Sequence, residues 1–237
     1  MAQSNSISRS EYVDFFSFWP RYLAGITLLL TGMYLLTTSA ELLSISVAML
    51  FFFFLFAGRS HWLQFGRTGG LANTITGLRT LGILLLLFFQ QYFHPYIFFV
   101  AGILILVADG LDGYYARKYK TVSEFGDFFD KETDAFFVLA FCVILIEQQL
   151  LGLWVIFPAL LRYAFVLILY LCKIEHIVLK KSFRRRFVGM WFMGTIMGCF
   201  VLPEVVYTTA MVFASAMLFY SFLKDFYLML RERNYQG

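Results

Sequence analysis

The stretch Asp109-Gly110-Leu111-Asp112-Gly113-Tyr114-Tyr115-Ala116-Arg117 is followed, after eight residues, by Gly126, and then by Asp130 and Asp134. Before it runs an apolar segment from Tyr96 to Ala108, and after it another from Ala135 to Ile146. Each group of acids therefore closes or opens a hydrophobic helix. On a helix Asp109 and Asp112 are i,i+3 neighbours on one face, which Gly113 and Ala116 continue. Gly126, Asp130 and Asp134, spaced i, i+4, i+8, form one stripe on the next helix. The linker from Arg117 to Phe125 is short enough to make the two helices antiparallel neighbours, so four carboxylates are expected to converge.

Crowded carboxylates repel and disfavour one another's ionised form unless a positive charge stands between them. At a bilayer boundary desolvation adds to that cost. A divalent ion answers both problems. An oxygen-only donor set without nearby His or Cys suits Mg2+, Mn2+ or Ca2+ rather than zinc. Gly113 and Gly126 would leave a slot where a ligand meets the backbone closely. Carboxylates, a hard metal and an open slot are the ingredients of phosphoryl chemistry.

The pattern Asp-x-x-Asp-Gly-x-x-Ala-Arg, eight residues, Gly-x-x-x-Asp-x-x-x-Asp resembles the signature of the CDP-alcohol phosphotransferases. Asp109, Asp112, Gly113, Ala116, Arg117, Gly126, Asp130 and Asp134 fill its fixed positions. The resemblance covers roughly residues 71–230. It implies a six-helix membrane bundle with a polar cavity open to the cytoplasmic side. It also implies transfer of a substituted phosphate from a CDP-linked lipid, CDP-diacylglycerol first among them, to an alcohol, with release of CMP. Asp109, Asp112, Asp130 and Asp134 would hold one or two Mg2+ or Mn2+ ions. Asp134, the least committed acid of the pattern, would also take the acceptor's proton as the catalytic base. Gly113, Ala116 and Gly126 would admit the CDP moiety, with Arg117 anchoring the motif or the diphosphate.

The composition agrees with a membrane setting. The chain of 237 residues is 60% hydrophobic and 20% aromatic. Only 14% of it is charged, against roughly 25% in soluble domains. The expected fold is all-α: a polytopic bundle whose six-helix core (59–237) is preceded by a tail and an extra two-helix hairpin (1–58). Candidate spans run 22–38, 43–56, 78–93, 96–115, 125–146, 150–171, 187–202 and 205–228, about eight in all. A cleaved signal peptide is the competing reading of the first span. Glu11 and Asp14 offset Arg9 and Arg21, and a second apolar run follows at once, so retention is expected.

Lys and Arg gather at the ends that an eight-span model with a cytoplasmic N-terminus places inside, such as Arg117, Lys118, Lys120 and Arg184 to Arg186. The opposite loops carry none. The acids would therefore face the cytoplasm. Nucleic acid is not an expected partner of so apolar a chain; membrane lipids are, and the arrangement leaves room for a homodimer. Cys142, Cys172 and Cys199 fall inside apolar runs and suggest neither disulfides nor zinc.

Asn73, Thr76 and Arg79 recur at three-residue steps. They read either as a capped helix start with an interfacial Arg or, by the resemblance, as part of the nucleotide site, to which Asn73 and Thr76 would contribute. Arg162 stands in mid-span, where a cation costs roughly 2.5 kcal/mol or more. It needs either an ion-pair partner or a phosphate in the cavity. Arg184 and Arg185 serve either as an inside anchor or, with Arg162, to bind an anionic acceptor. Glu132 falls on a different face from Asp130 and Asp134 and stays outside the cluster. The acceptor is open: glycerol-phosphate relatives place Lys after the last Asp and inositol-phosphate relatives Arg, whereas Ala135 stands here. An ion-coupled transporter is the alternative class, since intramembrane carboxylates also serve cation pathways.

Overall fold

The computed structural model describes residues 9–37, 39, 70–118, 124–174 and 182–236. Side chains of 9–19, 70–72, 112–117, 124–125 and 234–236 are outside that description. Among the described residues there are seven α-helices and no strand: α1 (Arg9–Thr37), α2 (Gly70–Phe88), α3 (Pro95–Lys118), α4 (Glu124–Glu147), α5 (Ile156–Leu171), α6 (Phe183–Gly198) and α7 (Glu204–Gln236). The expected span 43–56 and the domain boundary at 58/59 lie outside the described residues.

α4 is the centre of the bundle. From Leu139 to Leu145 every residue is at most 1% exposed, the all-round burial of a helix enclosed by others. α2 and α5 pack against it, and α6 touches it as well. α2 also packs on α3, α6 on α7, and α1 on α5. α3 and α6 approach closely at Gly102. A Cβ at Gly102 would stand 2.2 Å from Met197 Sδ and 3.2 Å from the Phe141 ring, so a larger residue there requires the Met197 side chain to shift.

The loops at one end are tied together by side chains. Gln148 Nε2 donates to the Gln90 carbonyl at 2.9 Å, and Tyr207 Oη to the Leu150 carbonyl at 3.0 Å. Tyr34 Oη donates to Glu147 Oε1 at 2.8 Å. Near the middle of α1 the Arg21 guanidinium stands over the Tyr170 ring, 4.5 Å from its centroid, a favourable cation–π placement. α4 and α5 each close with a residue in the left-handed region, Gln149 (φ 58°) and Lys173 (φ 55°). The following amides bond back to Leu145 and Leu169 at 2.9 and 3.0 Å, the pattern of a Schellman cap.

Helix bounds differ from the expected ones in an instructive way. α2 starts at Gly70 rather than near Leu78, taking in the polar residues Asn73 and Thr76. Their polarity interrupts the apolar run on which the candidate span 78–93 rests. In the bundle they belong to the end of α2 that leads to the acids. The helical segments Leu153–Leu171 and Glu204–Arg233 are long and apolar enough to cross a membrane. Charges at the ends of α3 and α4 shorten the apolar stretches of those helices.

Candidate active site

Asp109 comes from the C-terminal half of α3, Asp130 and Asp134 from the N-terminal half of α4. One carboxylate oxygen from each lies within 4.8 Å of the others. Their side chains are 38, 41 and 35% exposed, so a ligand from solution reaches them. Asp112, Gly113, Ala116 and Arg117 are helical backbone positions on α3 whose side chains lie outside the described residues. Gly126 is half-buried in the first turn of α4.

The helix that joins the two acid-bearing helices is α2. Spacing suggested that α3 and α4 would meet directly. The Phe141 ring of α4 does lie beside Gly102 of α3, and α2 packs against both helices, bringing a cation to the point where their acids converge. Arg79, 3% exposed, supplies it. Its Nη2 is 2.8 Å from Asp109 Oδ1 and 2.9 Å from Asp134 Oδ1, and its Nη1 is 3.0 Å from Asp130 Oδ1. Charge-assisted contacts of this length are among the stronger hydrogen bonds in proteins. Arg79 is therefore no interfacial residue. The only sequence signal for it was its three-residue step from Asn73 and Thr76.

Beside this cluster a hydroxyl pair fixes α2 against α4. Thr80 Oγ1 donates to the Thr76 carbonyl at 2.9 Å and lies 3.0 Å from Thr133 Oγ1. Since the single Thr80 proton is spent on Thr76, Thr133 is the donor between the two hydroxyls. Both residues are about 2% exposed. They flank Arg79 and Asp134 in sequence and hold those side chains in register. Thr76 is itself buried, and Asn73 half-buried, on the same helix.

The donor set fits a hard divalent ion. Metal–oxygen distances of about 2.0–2.6 Å allow two ligand atoms of one ion to stand roughly 4–5 Å apart, which the 4.8 Å grouping satisfies. Arg79 contacts only Oδ1 of each acid in these pairs, and every carboxylate offers a second oxygen.

The arginines expected at an acceptor site each have an acidic neighbour. Arg162 Nη2 pairs with Glu132 Oε1, the two side chains being 32 and 17% exposed. Glu132 thus faces away from the aspartates, as its helical position indicated. Arg162 Nε is buried without a hydrogen-bond partner among the described residues. Arg184 Nη1 donates to Ser221 Oγ at 2.7 Å and to the Ser221 carbonyl at 2.9 Å, and its Nη2 to Asp225 Oδ1 at 2.5 Å. Arg185 Nη1 is 3.9 Å from Asp225 Oδ2. These contacts join the start of α6 to the C-terminal half of α7.

Comparison with known proteins gives two findings. A family model described as CDP-alcohol phosphatidyltransferase matches residues 70–222, a range that contains α2 to α6, most of α7 and the whole acid cluster. A CDP-diacylglycerol–glycerol-3-phosphate 3-phosphatidyltransferase of Haemophilus influenzae is 43% identical over 65 residues, which are 27% of this chain and 32% of that protein. The match thus spans about a third of that relative's length.

Proposed function

Because this chain belongs to the CDP-alcohol phosphatidyltransferase family and is an enzyme of that class, we propose that it moves a phosphatidyl group from CDP-diacylglycerol to a phosphate-bearing alcohol and releases CMP. The observation that carries the reading is the set of three aspartates from two helices, within reach of one ion and inside the matched range. No feature of the described residues favours the transporter alternative.

In this reading Asp109, Asp112, Asp130 and Asp134 hold Mg2+ or Mn2+. The bound metal supplies charge neutralisation to the diphosphate and makes CMP a better leaving group. Asp134 orients the acceptor hydroxyl and accepts its proton. The acceptor oxygen attacks the phosphorus that carries diacylglycerol, and the bond from that phosphorus to the CMP oxygen breaks. Asn73, Thr76, Gly113, Ala116 and Gly126 line the path of the CDP moiety, and Arg117 contacts the diphosphate. Arg162, Arg184 and Arg185 take the acceptor's phosphate. The unsatisfied Nε of Arg162 supports that assignment, since a buried donor without an acceptor is costly. The helices span the membrane several times, with the acids toward the cytoplasm.

The test is CMP release from CDP-diacylglycerol by the purified protein with Mg2+ or Mn2+. Glycerol 3-phosphate, the acceptor in the Haemophilus relative's name, is offered beside inositol 1-phosphate, inositol, serine and choline. Metal-dependent CMP release with one phosphate-bearing acceptor is expected. Release only with serine, choline or free inositol would overturn the acceptor assignment, and no release with any would overturn the donor or the reaction.

A further inference from the structure

The three carboxylates are met by a buried guanidinium that contacts all of them, and this arrangement has consequences for how the site takes up metal. We infer that Arg79 is a positioning residue that acts as a resident counter-cation: it keeps the aspartates of α3 and α4 assembled when no divalent ion is bound, and it competes electrostatically with the ion that binds there. The inference rests on the metal-holding reading proposed above.

Three observations support it. Arg79 lies on α2, the helix packed against both acid-bearing helices. Its Nη2 bridges Asp109 of α3 and Asp134 of α4 at 2.8 and 2.9 Å, so one nitrogen links the two halves of the site. Its burial and the Thr80–Thr133 hydroxyl pair beside it hold its backbone in place.

The charge balance follows directly. Three ionised carboxylates and one guanidinium leave two negative charges, compared with three if the arginine were absent. Without any cation the acids would repel and drive α3 and α4 apart at this end. With Arg79 present, an incoming divalent ion gains the carboxylates but meets a fixed positive charge on the same three acids. Each cation therefore weakens the other's hold. By linkage the effect is reciprocal: removing the arginine tightens the metal, and metal compensates for removing the arginine. Arginine suits the task because its planar fork reaches several carboxylates and its charge is permanent.

The experiment measures Mn2+ binding to the full-length protein in detergent, by titration calorimetry, with thermal melting in EDTA and in excess Mn2+. Arg79→Gln is compared with the parent and with Arg79→Lys. Expected is Mn2+ binding to Arg79→Gln tighter on the order of tenfold, within the usual range of couplings between two bound groups. Its melting temperature should fall in EDTA and recover in Mn2+ more than the parent's rises. Arg79→Lys, which keeps the charge, should bind Mn2+ close to the parent value. Equal or weaker Mn2+ binding in Arg79→Gln, with a melting loss that metal does not repair, would overturn the inference and leave a purely structural arginine.

If Arg79→Gln can be purified only with Mn2+ present, the inference stands. If neither condition yields folded protein, it falls, since metal alone should then hold the acids. These readouts need neither donor nor acceptor, so a failure of CMP release leaves them intact and a failure here leaves the transferase reading intact.

Discussion

Replacing Glu132 by Gln separates the two roles open to Arg162. Glu132 on α4 and Arg162 on α5 pair directly, with side chains 17 and 32% exposed. A fully buried pair broken on one side costs about 3–5 kcal/mol, and an exposed pair about 0–1 kcal/mol. At these exposures the loss should fall between, near 2 kcal/mol for Glu132→Gln and similar for Arg162→Met. The double variant leaves no stranded charge and should lose about 1 kcal/mol or less beyond the parent. For a chain of 237 residues, about 2 kcal/mol lowers the melting temperature by roughly 4–8 °C. Thermal melting of the four proteins in detergent gives the coupling energy, and CMP release against acceptor concentration gives KM. Arg162→Met should raise the acceptor KM well beyond any effect of Glu132→Gln. Purely additive melting losses would refute the ion pair as a stabilising contact. An acceptor KM unchanged in Arg162→Met would refute its contact with the acceptor.

Asp134→Asn should lower turnover by about 10²–10⁴-fold, the usual range for a general base, while CDP-lipid binding persists; CMP release and direct donor binding measure the two. Gly102→Leu should destabilise by about 1–3 kcal/mol or more through overpacking, because Met197 and Phe141 already occupy the space. Activity should fall too, since Asp109 stands seven residues along the same face of α3; melting and CMP release test this. Lys173→Gly should raise stability by about 0.5–1 kcal/mol, relieving a left-handed backbone conformation that favours glycine, with a matching rise in melting temperature and unchanged CMP release.

How much the sequence disclosed depended on the distance over which its signals act. The convergence of Asp109, Asp130 and Asp134 was legible because helical spacing fixes a face and an apolar run fixes a helix. The exclusion of Glu132 from that face was legible for the same reason. Periodicity does not name the neighbour that a face meets. Arg79 lies 51 and 55 residues from Asp130 and Asp134, and nothing local distinguishes a buried cation from an interfacial one. The partner of Arg162 was equally hidden, although the need for one was clear from the cost of an intramembrane charge. The candidate span begins at 78 because polar residues interrupt the apolar run before it, and those residues form the end of α2 that serves the acids. The hydroxyl pair of Thr80 and Thr133 left no trace in composition or spacing.

The docking face of α1 has a bearing on the order in which the chain is made. Ala24, Thr27, Thr31 and Tyr34 are all buried, yet they leave the ribosome well before α5, the helix that α1 packs on. The Thr31 hydroxyl already has an acceptor in its own helix, the Thr27 carbonyl at 2.8 Å. It can therefore wait for α5 at little cost. The Tyr34 hydroxyl has its acceptor 113 residues downstream in Glu147, a delay of roughly 6–23 s at 5–20 residues per second. During synthesis, then, α1 is a helix with one outstanding polar contact, and the arrival of the last turn of α4 completes it.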